Sequence, residues 1–140
     1  MSISVDRIAQ RFRRTYLLEE VDPRFEDLFA ESVEIRHNYE KSMSMNGGDF
    51  AAAMVRMLRA TTEVVRNHSD SLSSFLVGED GFALAATLQG ELEDGRPVRV
   101  PRCLVAEVRN GKINKIDEFG DMRQRESLDD ALRSAGRFRS

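Results

Sequence analysis

An α+β fold, with three N-terminal helices packed on a curved antiparallel sheet, follows from two patterns in the sequence. Between His68 and Met122 the turn signals Glu79-Asp80-Gly81, Glu93-Asp94-Gly95-Arg96-Pro97 and Arg109-Asn110-Gly111 separate segments that alternate apolar and polar residues. That is the mark of consecutive hairpins. Upstream of them, apolar residues recur every three or four positions, as in helices that lie on a sheet by one face.

In chain order, Val5, Ile8, Ala9, Phe12, Thr15 and Tyr16 form the apolar stripe of a first helix, with Arg11, Arg13 and Arg14 on its solvated side. Asp22-Pro23 reads as a cap followed by a first helical residue, and Phe25, Leu28 and Phe29 as the buried side of a short second helix. Val33, Ile35, His37 and Tyr39 then alternate with Glu34, Arg36 and Asn38, which predicts a strand with His37 on its apolar face. Residues 40–48, with Ser42, Ser44, Asn46 and Gly47-Gly48, read as a mobile loop. A third helix is expected from an Asp49 cap, its stripe running through Phe50, Ala53, Met54, Met57, Leu58, Thr61, Val64 and Val65 to His68. After Met122, one short helix from a Ser127 cap is expected, with Leu128, Ala131 and Leu132 as its apolar edge.

Side-chain parity sets the inside of the sheet. Phe82, Leu84, Ala86, Leu88 and Leu92, then Val98, Val100, Leu104, Ala106 and Val108, are even-numbered and apolar. Arg102 breaks that pattern. The last hairpin admits two registers: a two-residue loop would turn Lys115 and Asp117 inward, whereas a three-residue loop with Gly111 left-handed would set Arg102 opposite Glu118. The second is preferred, because it avoids two unpaired buried charges.

The 140 residues suit one domain, which buries roughly 68–70% of its unfolded surface, and 41% of them are hydrophobic. One cysteine, Cys103, excludes an intrachain disulfide and suits a reducing compartment, so a cytoplasmic location is expected. No signal peptide or membrane span is legible. A net charge of -3 argues against a general nucleic-acid binder. With only two histidines and one cysteine, all far apart, no metal site is expected.

The order of elements resembles the NTF2-like superfamily, a cone-shaped α+β fold. Within it the resemblance is to the SnoaL-like polyketide cyclase, ketosteroid isomerase and limonene-epoxide hydrolase group. It covers residues 5–122 and rests on Asp22-Pro23-Arg24-Phe25-Glu26-Asp27-Leu28-Phe29-Ala30-Glu31-Ser32-Val33, and on Asn110-Gly111-Lys112-Ile113 followed by Asp117-Glu118-Phe119-Gly120-Asp121. It implies a single NTF2-like domain over residues 1–122 with a C-terminal tail over 123–140. Glu118 falls where the epoxide hydrolases keep a pocket carboxylate, and His37 near the general base of the isomerases. The isomerases' helix-one tyrosine aligns with Phe12 and their protonated acid with Cys103, so their oxyanion hole has no counterpart.

The candidate catalytic set is His37, Arg102 and Glu118, and the candidate pocket lining is Phe12, Tyr16, Tyr39, Met54, Leu58 and His68. A histidine facing an apolar hollow can accept a proton, and an arginine fixed by a carboxylate can polarise a carbonyl. Each has a bland counterpart: a structural cross-strand pair, a hydrogen-bonded histidine, a helix-end His68, and methionines that are simply core. Two classes therefore stand. One is a cofactor-independent isomerase, cyclase, dehydratase or hydrolase working by proton transfer on a mostly apolar molecule with a polar group. The other is a non-catalytic ligand-binding or assembly module on the same scaffold. A homodimer is expected through the outer sheet face, where Ala83, Ala85, Thr87, Pro101, Cys103 and Val105 are flanked by Arg99, Glu107 and Arg109. No nucleic-acid or membrane partner is expected.

Overall fold

A computed structural model describes residues 4–137. The elements are α1 (Val5–Tyr16), a 3₁₀ turn (Phe25–Leu28), β1 (Phe29–His37), β2 (Met43–Asn46), α2 (Gly47–Val64), β3 (Arg66–Gly78), β4 (Gly81–Glu91), β5 (Pro97–Arg109), β6 (Lys112–Gly120) and α3 (Met122–Ser134). The strands form one sheet in the order β2-β1-β6-β5-β4-β3. β1 runs parallel to β6, while the other neighbours are antiparallel, so the sheet is mixed.

Only α1 precedes the sheet, which corrects the expectation of three N-terminal helices. The second helix is a single 3₁₀ turn because Asp22 does not cap a helix. It accepts from the Arg24 amide at 2.9 Å and from the Arg11 guanidinium at 2.8 Å, tying the turn to α1. The alternating residues from Phe29 onward then draw the chain into β1. The third helix, α2, comes only after a β1–β2 hairpin formed by residues expected to be a loop, with Val33 paired to Met45 and Ile35 to Met43. Its cap is Asn46, whose side chain accepts from the Asp49 amide.

Two clusters make the core. In the first, Phe12 is fully buried, with the rings of Tyr16, Phe25, Phe29 and Phe82 within 5.3–6.3 Å of its own. In the second, Leu128 and Leu132 of α3 are fully buried against Leu88, Leu92, Val98 and Val100 of the sheet. α3 starts at an Asp121 cap rather than at Ser127, with the carboxylate accepting from the Arg123 and Gln124 amides. Six residues earlier than expected, the helix covers the sheet from Met122 onward.

The final hairpin uses the two-residue loop, with Arg109 paired to Lys112 and positive φ at both Asn110 and Gly111. This overturns the preferred register, yet Ile116 and Glu118 still face inward. A bulge lies between the Val108–Ile113 and Glu107–Lys115 pairs, and the residue it absorbs is Asn114. An extra residue in one strand restores the inward parity that the short loop alone would have lost. Glu118 consequently sits opposite Leu104, and Arg102 opposite Gly120.

Candidate functional site

Between α1, α2, α3 and the inner sheet face lies a cavity of about 380 Å³, within the size range of small-molecule sites. Most of its wall is apolar. α2 contributes Phe50, Met54, Met57 and Leu58, the sheet contributes Ile35, Leu88, Val100 and Ile116, and α3 contributes Met122 and Leu128. The expected α2 stripe is thus half-buried rather than packed solid: Met54, Met57 and Leu58 line the hollow instead of filling it.

Polar groups gather at one end. The Tyr16 hydroxyl donates to Oε2 of Glu118, and Nε2 of His37 lies 3.7 Å from Oε1 of the same carboxylate. His37 and Glu118 are direct neighbours on the parallel strands β1 and β6, so the sheet itself sets their spacing. Tyr16 is the last residue of α1, and its ring stacks on Phe12 with centroids 5.3 Å apart. Burial, and then the Glu118 charge, hold its phenol well above the ordinary value of 10. It is therefore a neutral donor at physiological pH.

Arg102 reaches the same end but does not pair with Glu118, contrary to the sequence reading. Its guanidinium clasps Asp70 of β3 with both nitrogens, one at 3.1 Å to Oδ1 and the other to Oδ2. It also donates to the Tyr16 carbonyl at 3.4 Å and lies 4.7 Å from that ring's centroid. The Arg102 and Asp70 side chains are 11% and 2% exposed. The rule against unpaired buried charge is obeyed, with a partner on the same face from β3, two strands from β5, instead of from the adjacent β6.

Asp70 was missed because its direction depends on a bulge. Phe75 and Val77 pair with the inward residues Leu84 and Phe82, and a register shift between Leu72 and Ser74 then flips the parity, so that Asp70 pairs with Leu88 and faces in. The one available signal was a lone acid in the serine-rich run Ser69-Asp70-Ser71-Leu72-Ser73-Ser74.

Of the expected lining residues, Tyr16, Met54 and Leu58 border the cavity and three do not. Phe12 lies beneath Tyr16 in the core. Tyr39 follows Asn38 in a left-handed turn, φ 63° and 49°, and is thrown onto the outer face. There it is 77% exposed against Phe119. His68 belongs to β3, not to the end of α2, and is exposed. Left-handed Asn67, φ 52°, and the register shift between Arg66 and Ser69 turn this segment away from the hollow. Among the described residues no group of three or more His, Cys, Asp or Glu side chains could hold a metal ion.

No family model and no curated protein matches the sequence. Solved structures do match the fold. A protein described as a SnoaL-like polyketide cyclase, from Jannaschia sp., superposes with a TM-score of 0.63 at 12% identity, over 91% of this chain and 94% of that one. A protein described as a polyketide cyclase, from Pseudomonas putida, gives 0.62 at 16% identity, over 88% and 96%. A protein of ketosteroid isomerase-like fold from Catenulispora acidiphila, in complex with trimethylamine, gives 0.55 at 14% identity, over 82% and 85%. With α1 and α2 set against a six-stranded mixed sheet and these structural likenesses, the chain has the NTF2-like fold.

Proposed function

We propose that this chain is a cofactor-independent small-molecule enzyme of the SnoaL-like type, acting by proton transfer on a mostly apolar substrate in the cavity. The observation that carries the reading is the Tyr16–Glu118–His37 cluster in a mostly apolar hollow. The one O–H of this neutral, buried phenol points at Glu118; turned to an entering substrate oxygen it polarises that oxygen and leaves the carboxylate free to act. The Glu118 carboxylate beside it is the acceptor for a proton leaving an adjacent carbon. His37, near the other carboxylate oxygen, can take that proton on or return it at a second position. Arg102, with its charge neutralised by Asp70, holds Tyr16 in place rather than touching the reacting atoms.

The likeness to polyketide cyclases supports a substrate bearing carbonyl groups. Nuclear magnetic resonance with cyclohexenone as probe tests the site. The ring signals of His37 should move on titration, while those of His68, exposed on β3, stay still as an internal reference. Movement of neither, or of both equally, contradicts the reading.

A second reading, assembly through the outer sheet face, is favoured by a separate observation. Leu76 and Val105 are 70% and 44% exposed there, beside Ala83 and within a rim holding Glu107, Lys115 and Asp117. We propose a homodimer through this face, compatible with either function. Light scattering at micromolar concentration should give twice the chain mass, and a monomer contradicts it.

A further inference from the structure

The charges around the cavity are unequally partnered. Arg102 and Arg125 line it, and each has its own aspartate: Asp70 clasps the first, and Asp129 accepts from Nε of the second at 2.9 Å. Arg36, on the rim, turns its guanidinium to Asp117, 2.7 Å away, and to the ring of Tyr39. The N-terminus of α3, which borders the cavity through Met122, is capped by Asp121. Glu118 differs. Among the described residues it has no arginine or lysine partner, only the neutral Tyr16 hydroxyl and the imidazole of His37.

We propose that the cavity selects its ligand by charge, admitting neutral and cationic apolar molecules, with an ammonium head held at Glu118, and rejecting anionic ones. This rests on reading the cavity as the substrate site and names the substrate class. It does not depend on catalysis. Among the described residues, a carboxylate or phosphate entering the hollow would meet no arginine or lysine that lacks its own aspartate and would lie beside a like charge in a weakly screened apolar pocket. An ammonium would find a carboxylate that no arginine or lysine neutralises, and the polarisable sulfurs of Met54 and Met57 in the cavity wall.

Three probes sharing one apolar body separate the possibilities: adamantanemethylamine, adamantanemethanol and adamantanecarboxylate, each titrated calorimetrically into the full chain at neutral pH. The amine binds at least about tenfold more tightly than the carboxylate, with the alcohol between them. In Glu118→Gln the amine-to-carboxylate ratio falls to within about threefold. Should that variant not fold, Asp129→Asn gives an independent reading. It frees Arg125 at the cavity wall and raises affinity for the carboxylate. A carboxylate that binds the wild type as tightly as the amine overturns the inference while leaving the cavity as a binding site. So does an amine preference that survives Glu118→Gln. Failure of the alcohol and the amine alike to bind overturns the cavity reading itself, and the charge selection with it.

Discussion

The hydroxyl of Tyr16 donates to the carboxylate of Glu118, joining residues 102 positions apart: the last turn of α1 and the inward face of β6. Because one partner is a buried phenol and the other a carboxylate, the bond favours the neutral form of Tyr16 and leaves its signature in the alkaline titration. Tyr16 and Tyr39 are the only tyrosines, so Tyr39→Phe leaves one phenol to follow by ultraviolet absorbance. In that background phenolate appears well above pH 10, and adding Glu118→Gln moves the transition down, since a negative neighbour and a hydrogen bond to the neutral form are both lost.

The same shift has a consequence for stability. The folded chain holds the Tyr16 proton more tightly than the unfolded chain does, so its contribution is fully present below about pH 10 and is lost as pH rises further. Urea denaturation in Tyr39→Phe at rising alkaline pH should show a steeper loss than in Tyr16→Phe/Tyr39→Phe. Parallel curves would contradict the buried, proton-retaining phenol.

The Asp70–Arg102 pair is buried on both sides, so removing one partner strands a charge. Asp70→Asn or Arg102→Met should each cost about 3–5 kcal/mol in denaturant unfolding. The double replacement Asp70→Leu/Arg102→Met should recover most of that, because two apolar side chains leave no charge unpaired. Additive losses would mean that the two side chains act separately.

Gly47 opens α2 where the helix crosses β1. A Cβ there would fall 1.8 Å from the Ala30 carbonyl oxygen, so Gly47→Ala must push the wall that carries Phe50 and Met54 away from the sheet. A loss of at least about 1–3 kcal/mol is expected. Gly78→Ala, with its nearest atom at 4.0 Å, should be close to neutral in the same measurement.

What the sequence disclosed follows the range of the forces involved. Alternation and helical stripes are local, so α1, β4, β5 and the inward direction of His37 and Arg102 could be read from neighbouring residues, whereas the inward direction of Glu118 rests on a hairpin register that the structure replaces. Pairing is not local. The partner of Arg102 depended on a bulge in β3 that no alternation announces, and the last hairpin traded a longer loop for a bulge at Asn114 while keeping Glu118 inside. β2 was hidden because Met43-Ser44-Met45-Asn46 is short and lies among loop-forming residues; only its pairing with β1 makes it a strand. Left-handed Asn38 and Asn67 explain the rest. Each redirects the chain within one residue, sending Tyr39 and the β3 segment with His68 outward.

The central claim is that the Tyr16–Glu118–His37 cluster moves protons. Its most direct test is deuterium exchange at the saturated carbon next to the carbonyl of cyclohexenone in deuterated buffer, followed by nuclear magnetic resonance with wild-type chain and with Glu118→Gln and His37→Ala. The account predicts exchange faster than buffer alone for the wild type and a loss of about 10²–10⁴ in the enzyme-dependent rate when Glu118 is replaced. It predicts a measurable loss for His37→Ala as well. Wild-type exchange no faster than buffer for cyclohexenone bound in the cavity, or an enzyme-dependent rate untouched by Glu118→Gln, would contradict it.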